Sequence, residues 1–257
     1  MQTVSRMQTA NSPRTVVVTG AGTGIGRATA HAFAAEGAHV VAVGRRPEPL
    51  AETAAYDPSR ITPLTADITA EDGPATVVRT ALDRYGRLDV LVNNAAVVTP
   101  QSLRTYTRPA AETQLATNLI APVLLTQAAL PALEDSRGVI VNVSTSVGQR
   151  GWPGNSLYAA GKAALEVLTR GWAVELAPLG IRVAAVAPGA IDTPIGDHAG
   201  YTPEQRAAIR AWQLEHTPLG RVGQPQEVAW AITQLACPQA AFITGVVLPV
   251  DGGAVVA

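Results

Sequence analysis

Tyr158 and Lys162 stand four residues apart in Tyr158-Ala159-Ala160-Gly161-Lys162. That spacing puts a phenol and an ammonium on one face of a helix, one turn from each other. A lysine charge beside a phenol favours the phenolate and draws its pKa down from about 10. A tyrosine so placed can exchange a proton with an alcohol or a carbonyl oxygen. The same spacing occurs in ordinary amphipathic helices, so its meaning depends on what surrounds it. A second group is Thr19-Gly20-Ala21-Gly22-Thr23-Gly24-Ile25-Gly26-Arg27, with four glycines in seven positions. It follows a β-branched run and opens an alanine-rich segment. Without Cβ atoms the chain can turn sharply off a strand and approach a pyrophosphate, while the next helix offers free N–H groups and its positive dipole end. A tight turn that binds nothing is the alternative, and the place after the first strand of a βαβ unit favours phosphate.

The elements that must carry these residues are legible as alternating patterns. Short apolar runs recur at residues 15–19, 39–43, 61–66, 90–92, 139–143, 182–186 and 246–249. Most are apolar at successive positions, as strands buried on both faces of a parallel sheet should be. Alanine-rich segments at 26–36, 73–85, 112–133, 156–176 and 226–235 are long enough for helical crossovers. The expected fold is therefore α/β: a doubly wound Rossmann fold with a seven-stranded parallel sheet and helices on both faces. Between about 191 and 223 the pattern weakens into Gly, Pro, His and Trp, with a helical piece near 204–214, which predicts a small lid. Residues 1–14 are polar and read as a flexible extension, leaving 15–257 as one domain.

The chain has 257 residues and a formal net charge of −1, so no broad positive field attracts nucleic acid or an acidic membrane. No run reaches the roughly 18 apolar residues of a membrane span, and the start lacks a secretory apolar stretch, so a cytoplasmic location is expected. The single cysteine, Cys237, fits a reducing compartment. His198 and His216 have no ligand spacing, and no metal is expected.

The second apolar run ends in Val43-Gly44-Arg45-Arg46. In dinucleotide folds this place carries a carboxylate for the adenosine ribose or a basic residue for a 2′-phosphate. Gly44 leaves room and Arg45 or Arg46 offers a forked donor, so NADP(H) is favoured with NAD(H) the alternative. Two solvated surface arginines would look the same in sequence.

The glycines fall as T-G-x-x-x-G-x-G rather than G-x-G-x-x-G. With Tyr158 and Lys162 following Asn142-Val143-Ser144-Thr145-Ser146, the sequence resembles the short-chain dehydrogenase/reductase family. The likeness runs from about Thr15 to Gly253, ending in Val250-Asp251-Gly252-Gly253. It implies that Gly20, Gly22, Thr23, Gly24, Ile25 and Gly26 hold the pyrophosphate. It assigns Asp67 and Ile68 to the adenine, and Asn93, Asn94 and Ala95 to the floor under the adenosine, with Ala96 where the family has glycine. It implies that Asn118 breaks a helical ladder to hold a water near Lys162, and that Pro188, Gly189, Ile191 and Thr193 secure the nicotinamide carboxamide. The family serine that holds the substrate oxygen corresponds to Thr145; a one-residue bulge would present Ser144 or Ser146 instead.

The activity implied is NAD(P)-dependent interconversion of a carbonyl and a secondary alcohol, with Tyr158 exchanging the proton and Lys162 holding the nicotinamide ribose. The partner is a small carbonyl or alcohol, in a cleft walled by Ala96, Val97, Trp152, Pro153, Asn155, Ile195, Trp212 and His216. A homo-oligomer, tetramer or dimer, is implied by the family. A lyase or dehydratase on the same fold, and a non-catalytic NADP-binding sensor, are the alternatives.

Overall fold

Each apolar run becomes a strand because its alternate side chains fill different cores. In the computed structural model, which describes residues 12–146, 154–198 and 200–256, the strands are β1 (Thr15–Thr19), β2 (His39–Gly44), β3 (Ile61–Thr65), β4 (Val90–Asn93), β5 (Val139–Val143), β6 (Arg182–Pro188) and β7 (Val247–Val250). The helices are α1 (Gly24–Ala35), α2 (Pro47–Ala54), α3 (Gly73–Tyr85), α4 (Arg108–Leu115), α5 (Ala121–Ser136), α6 (Ser156–Leu176), α7 (Ile195–His198), α8 (Pro203–Glu215) and α9 (Pro225–Ala236). Val16 and Val18 pack with Phe33 of α1 and Ile232 of α9. Val17 packs on the other side with Val77 of α3, Leu125 of α5 and Leu176 of α6. Double burial explains why these runs show no polar alternation.

All pairs are parallel, in the order β3-β2-β1-β4-β5-β6-β7. The winding reverses between β1 and β4, and the crevice beyond the strand ends at such a point is where open α/β sheets bind ligands. Edge strand β3 is half exposed and carries Pro63, whose missing N–H an edge tolerates.

Three departures from the sequence reading have physical causes. Helix α2 went unread because two prolines open it. Pro47 occupies the first turn, where no N–H is needed, and Leu50 and Thr53 bury its inner face. The single helix expected at 112–133 is two helices joined by a π-helical turn, Ala116–Ile120. In a regular helix the Asn118 carbonyl would accept from the N–H of residue 122, and Pro122 has none. Finally, Arg14 belongs to the fold rather than to an extension: it donates to the Ala236 carbonyl at 2.9 Å, pairs with Glu36, and its carbonyl accepts from His39 N–H at 2.8 Å.

By length and apolar composition the run Arg108–Ser136 could cross a membrane. Here it lies along the sheet, with α5 against α3 and β4. Residues 191–223 leave the sheet as expected. Thr202 and Gln205 form a capping box that starts α8, none of whose residues is buried.

Candidate active site

A cleft of about 940 Å³ opens at the β1/β4 reversal. It runs from the glycine turn and Arg45, past Asp67 and Asn94, to Thr145, Tyr158 and Lys162, and ends against α8. Of the described residues assigned to a site from sequence, all but Asn93 and Asn118 line it.

The glycine turn is shaped first by its own packing. A Cβ on Gly26 would overlap the Gly20 carbonyl oxygen. Gly20 has a positive φ of 65°, and a Cβ there would sit 2.8 Å from Ala95 Cα. Asn94 Nδ2 donates to the Thr19 carbonyl at 2.8 Å, and Thr19 Oγ1 accepts from the N–H groups of Asn94 and Ala95, both at 3.0 Å. The ends of β1 and β4 are thereby knitted together. Arg27, which the sequence reading passed over, donates from Nε to the Gly22 carbonyl at 3.0 Å and reaches Pro49 and Glu52 of α2. Thr23 begins α1 without capping it, so among the described residues no N-cap side chain takes the first-turn N–H groups, which suit an anion. A glycine cradle and an uncapped helix start suit a dinucleotide pyrophosphate.

At the end of β2, Arg45 and Arg46 are exposed, line the cleft, and make no salt bridge among the described residues. A Cβ on Gly44 would meet Leu50 at ordinary contact distance. Asp67 accepts from the Thr69 N–H and hydroxyl at 2.9 and 2.7 Å, which holds its carboxyl below the usual range, with Arg45 adding to the effect. Opposite, Thr193 closes over the cradle, its Cγ2 3.1 Å from where a Gly24 Cβ would be. Ile191 bridges Gly223 in parallel register, which ties this loop to the chain that returns from α8.

The catalytic candidates meet at the end of β5. Lys162 is fully buried and donates to the Val143 carbonyl at 2.6 Å. Ser144 turns away, donating to Glu166 Oε1 at 2.7 Å. Thr145 is the residue whose hydroxyl bonds the Tyr158 phenol; its contact to the Pro188 carbonyl is a long 3.4 Å. Among the three hydroxyls left open by the sequence, Thr145 therefore faces Tyr158. The expected lowering of the phenol by Lys162 is not what this structure has. Burial pushes Tyr158 up to about 12, opposed by the Thr145 hydrogen bond, and burial pulls Lys162 down to about 8. The side chain of Tyr158 is half-buried, so some solvent reaches the ring. The ammonium is directed to the Val143 carbonyl.

The ladder breaks at Asn118, as the resemblance implied, and its side-chain amide does not line the cleft. It grips Val97 instead, accepting from the Val97 N–H at 2.9 Å and donating to its carbonyl at 2.8 Å. It thus holds the loop after β4, which does line the cleft. Asn93, expected in the floor under the adenosine, is buried and does not line the cleft: it donates to Asn142 Oδ1 across the strands at 2.9 Å, and Asn142 donates to Thr169 Oγ1 on α6 at 2.9 Å.

Residues 20–255 match the family model described as enoyl-(acyl carrier protein) reductase. The chain is 40% identical over 244 residues to a 3-oxoacyl-(acyl-carrier-protein) reductase of Thermotoga maritima, covering 93% of this chain and 97% of that one. It is 39% identical over 251 residues to a cis-4-hydroxycyclohexanecarboxylate dehydrogenase of Sinomonas cyclohexanicum, covering 96% and 98%. The chain belongs to the short-chain dehydrogenase/reductase family. Short-chain dehydrogenases/reductases are NAD(P)-dependent oxidoreductases. Among solved members, a 3-ketoacyl-(acyl-carrier-protein) reductase from Brucella melitensis complexed with NADH superposes with a TM-score of 0.88 at 32% identity, covering 95% of this chain and 99% of that one. Members so alike act on an acyl carrier conjugate and on a free ring acid, so the shared fold leaves the substrate to the walls of each cleft.

In this short-chain dehydrogenase/reductase those walls combine apolar and polar side chains. Ala96, Val97, Ile195, Trp212 and His216 line the cleft as predicted, with Trp212 stacked on His216 at 4.2 Å. Arg206, Arg210, Gln213 and Tyr201 join them. Arg210 donates to Asp192 Oδ1 at 2.8 Å, fastening α8 to the loop after β6. Trp152 and Pro153 lie outside the described residues.

Proposed function

We propose that this chain is an NADPH-dependent ketoreductase in which Tyr158 donates the proton to the substrate oxygen. The observation that carries the reading is the Thr145 hydroxyl bonded to the Tyr158 phenol in the cleft that begins at the glycine turn. Burial keeps Tyr158 in its neutral, proton-bearing form at ordinary pH, as reduction of a carbonyl requires. Thr145 Oγ1 orients the substrate oxygen and donates to the phenolate left behind. Lys162, with a pKa of about 8, keeps most of its charge at neutral pH, and that charge would favour the phenolate as the proton leaves.

Gly20, Gly22, Thr23, Gly24, Ile25 and Gly26 would hold the nucleotide's pyrophosphate. Asp67, Ile68, Asn94 and Ala95 would hold its adenosine, Lys162 the nicotinamide ribose, and Pro188, Gly189, Ile191 and Thr193 the carboxamide. When bound, the nicotinamide supplies the hydride for the substrate carbon. Arg45 and Arg46, unpaired by any described carboxylate, favour a 2′-phosphate and hence NADP(H) over NAD(H). The segment 191–223 closes over the substrate.

A homo-oligomer is part of the reading, because exposed apolar side chains lie on two faces: Val167 and Val174 on α6, and Trp230, Phe242 and Leu248 beside β7. The enzymatic reading is tested by mixing purified protein with NADPH or NADH and a panel of ketones and aldehydes. Loss of nicotinamide absorbance, faster with NADPH, is expected; no consumption of either nucleotide with any carbonyl contradicts it.

A further inference from the structure

Asn155 is the N-cap of α6, the helix that carries Tyr158, yet its side chain caps nothing. An asparagine at that position ordinarily accepts from the second or third N–H of its helix. Here the N–H of Leu157, the second, donates to the phenol oxygen of Tyr106 at 3.1 Å, and that oxygen also lies 3.3 Å from Ser156 Oγ. Tyr106 comes from the loop after β4, which the Gln101 N–H ties to the Gly154 carbonyl at 2.9 Å. The loop thus does the work of the cap, and Asn155 Oδ1 is left buried with no hydrogen-bond partner among the described residues. Its Nδ2 donates to Tyr201 of the excursion over the cleft at 3.4 Å. A buried acceptor without a donor is costly, and a ligand that supplies the donor recovers that cost.

We infer that Asn155 is a specificity-determining residue: its Oδ1 accepts a hydrogen bond from a hydroxyl on the carbon next to the reacting carbonyl, so the preferred substrates are α-hydroxy ketones. Asn155 lines the cleft and precedes Tyr158 by three residues on the same first turn, so a donor that meets Oδ1 belongs close to the oxygen that meets Tyr158. Oδ1 is shut off from solvent, while Nδ2 of the same amide reaches Tyr201. A site built around a substrate hydroxyl discriminates against the compound lacking it, because the protein group is then left unpaired.

The inference rests on the proposed carbonyl reduction, and the test separates the two. Values of kcat/KM with NADPH are compared for acetoin, its O-methyl ether and butanone, and for 2-hydroxycyclohexanone, its O-methyl ether and cyclohexanone. The ethers keep the electron withdrawal and lose the donor. Wild type should favour each hydroxy ketone over its ether by about tenfold or more. That ratio should fall to near one in Asn155→Leu and be retained in Asn155→Asp, which keeps an acceptor. It should fall in Tyr106→Phe as well, since the Leu157 N–H then reclaims Asn155 as its cap. An unchanged ratio in Asn155→Leu, or none in wild type while the ketones are turned over, overturns the inference alone. No turnover of any carbonyl overturns the reading beneath it and the inference with it.

Discussion

Arg45 and Arg46 are the residues on which the choice of nucleotide turns. If their charges meet a 2′-phosphate, replacing both by serine should raise the KM for NADPH about tenfold to a hundredfold, the worth of one or two charge-assisted hydrogen bonds. The KM for NADH should change little, and steady-state kinetics with both nucleotides reads the difference. Lys162 makes a separate prediction. Its folded pKa of about 8 lies below its ordinary 10.5, so between those values the unfolded chain binds more protons and stability rises with pH. The stabilisation is complete above 10.5 and is lost as pH falls through 8. Relative to Lys162→Met, wild type should gain up to about 3 kcal/mol across that window in denaturant unfolding, read at a series of pH values. Equal slopes would mean that the amine is not desolvated. The Tyr158–Lys162 pair was legible from its spacing together with the strand end that precedes it, whereas the direction of each pKa was not, because desolvation depends on what packs around a group and the four-residue interval says nothing of that.

The elements were legible wherever local chemistry decides them. Seven apolar runs became seven strands, the five inner ones buried on both faces and β3 and β7 at the edges partly exposed, and residues 73–85 and 156–176 were read to their ends. Helix α2 and the π turn were missed because prolines set both: one pair opens a helix, while Pro122 removes a donor four residues from Asn118. The Tyr106 cap on α6 was beyond reach, since it joins residues 51 apart in sequence. Helix α1 offers a test at this scale. A methyl at Gly26 meets the Gly20 carbonyl and Asn94 Nδ2, so Gly26→Ala has to push α1 off the turn. A loss of about 1–3 kcal/mol in unfolding free energy is expected, with nucleotide affinity, measured by fluorescence titration, falling at the same time. An unperturbed variant would mean that the turn can spread at no cost.

For the whole molecule, two sets of exposed apolar side chains on opposite flanks of the sheet argue for self-association, and light scattering after gel filtration should give a mass at a multiple of 26.6 kDa. Introducing aspartate at Val174 or Phe242 should lower that mass; a monomer in wild type contradicts the assembly. The same architecture gathers residues from the ends of β1, β2, β4, β5 and β6 into one cleft, and what the gathering is for comes down to one oxygen. The most direct measurement is kcat/KM for NADPH-driven ketone reduction by wild type and Tyr158→Phe, with circular dichroism showing both folded. A fall of about a hundredfold or more is predicted. Activity that survives the loss of that hydroxyl would remove Tyr158 from the chemistry and contradict the account.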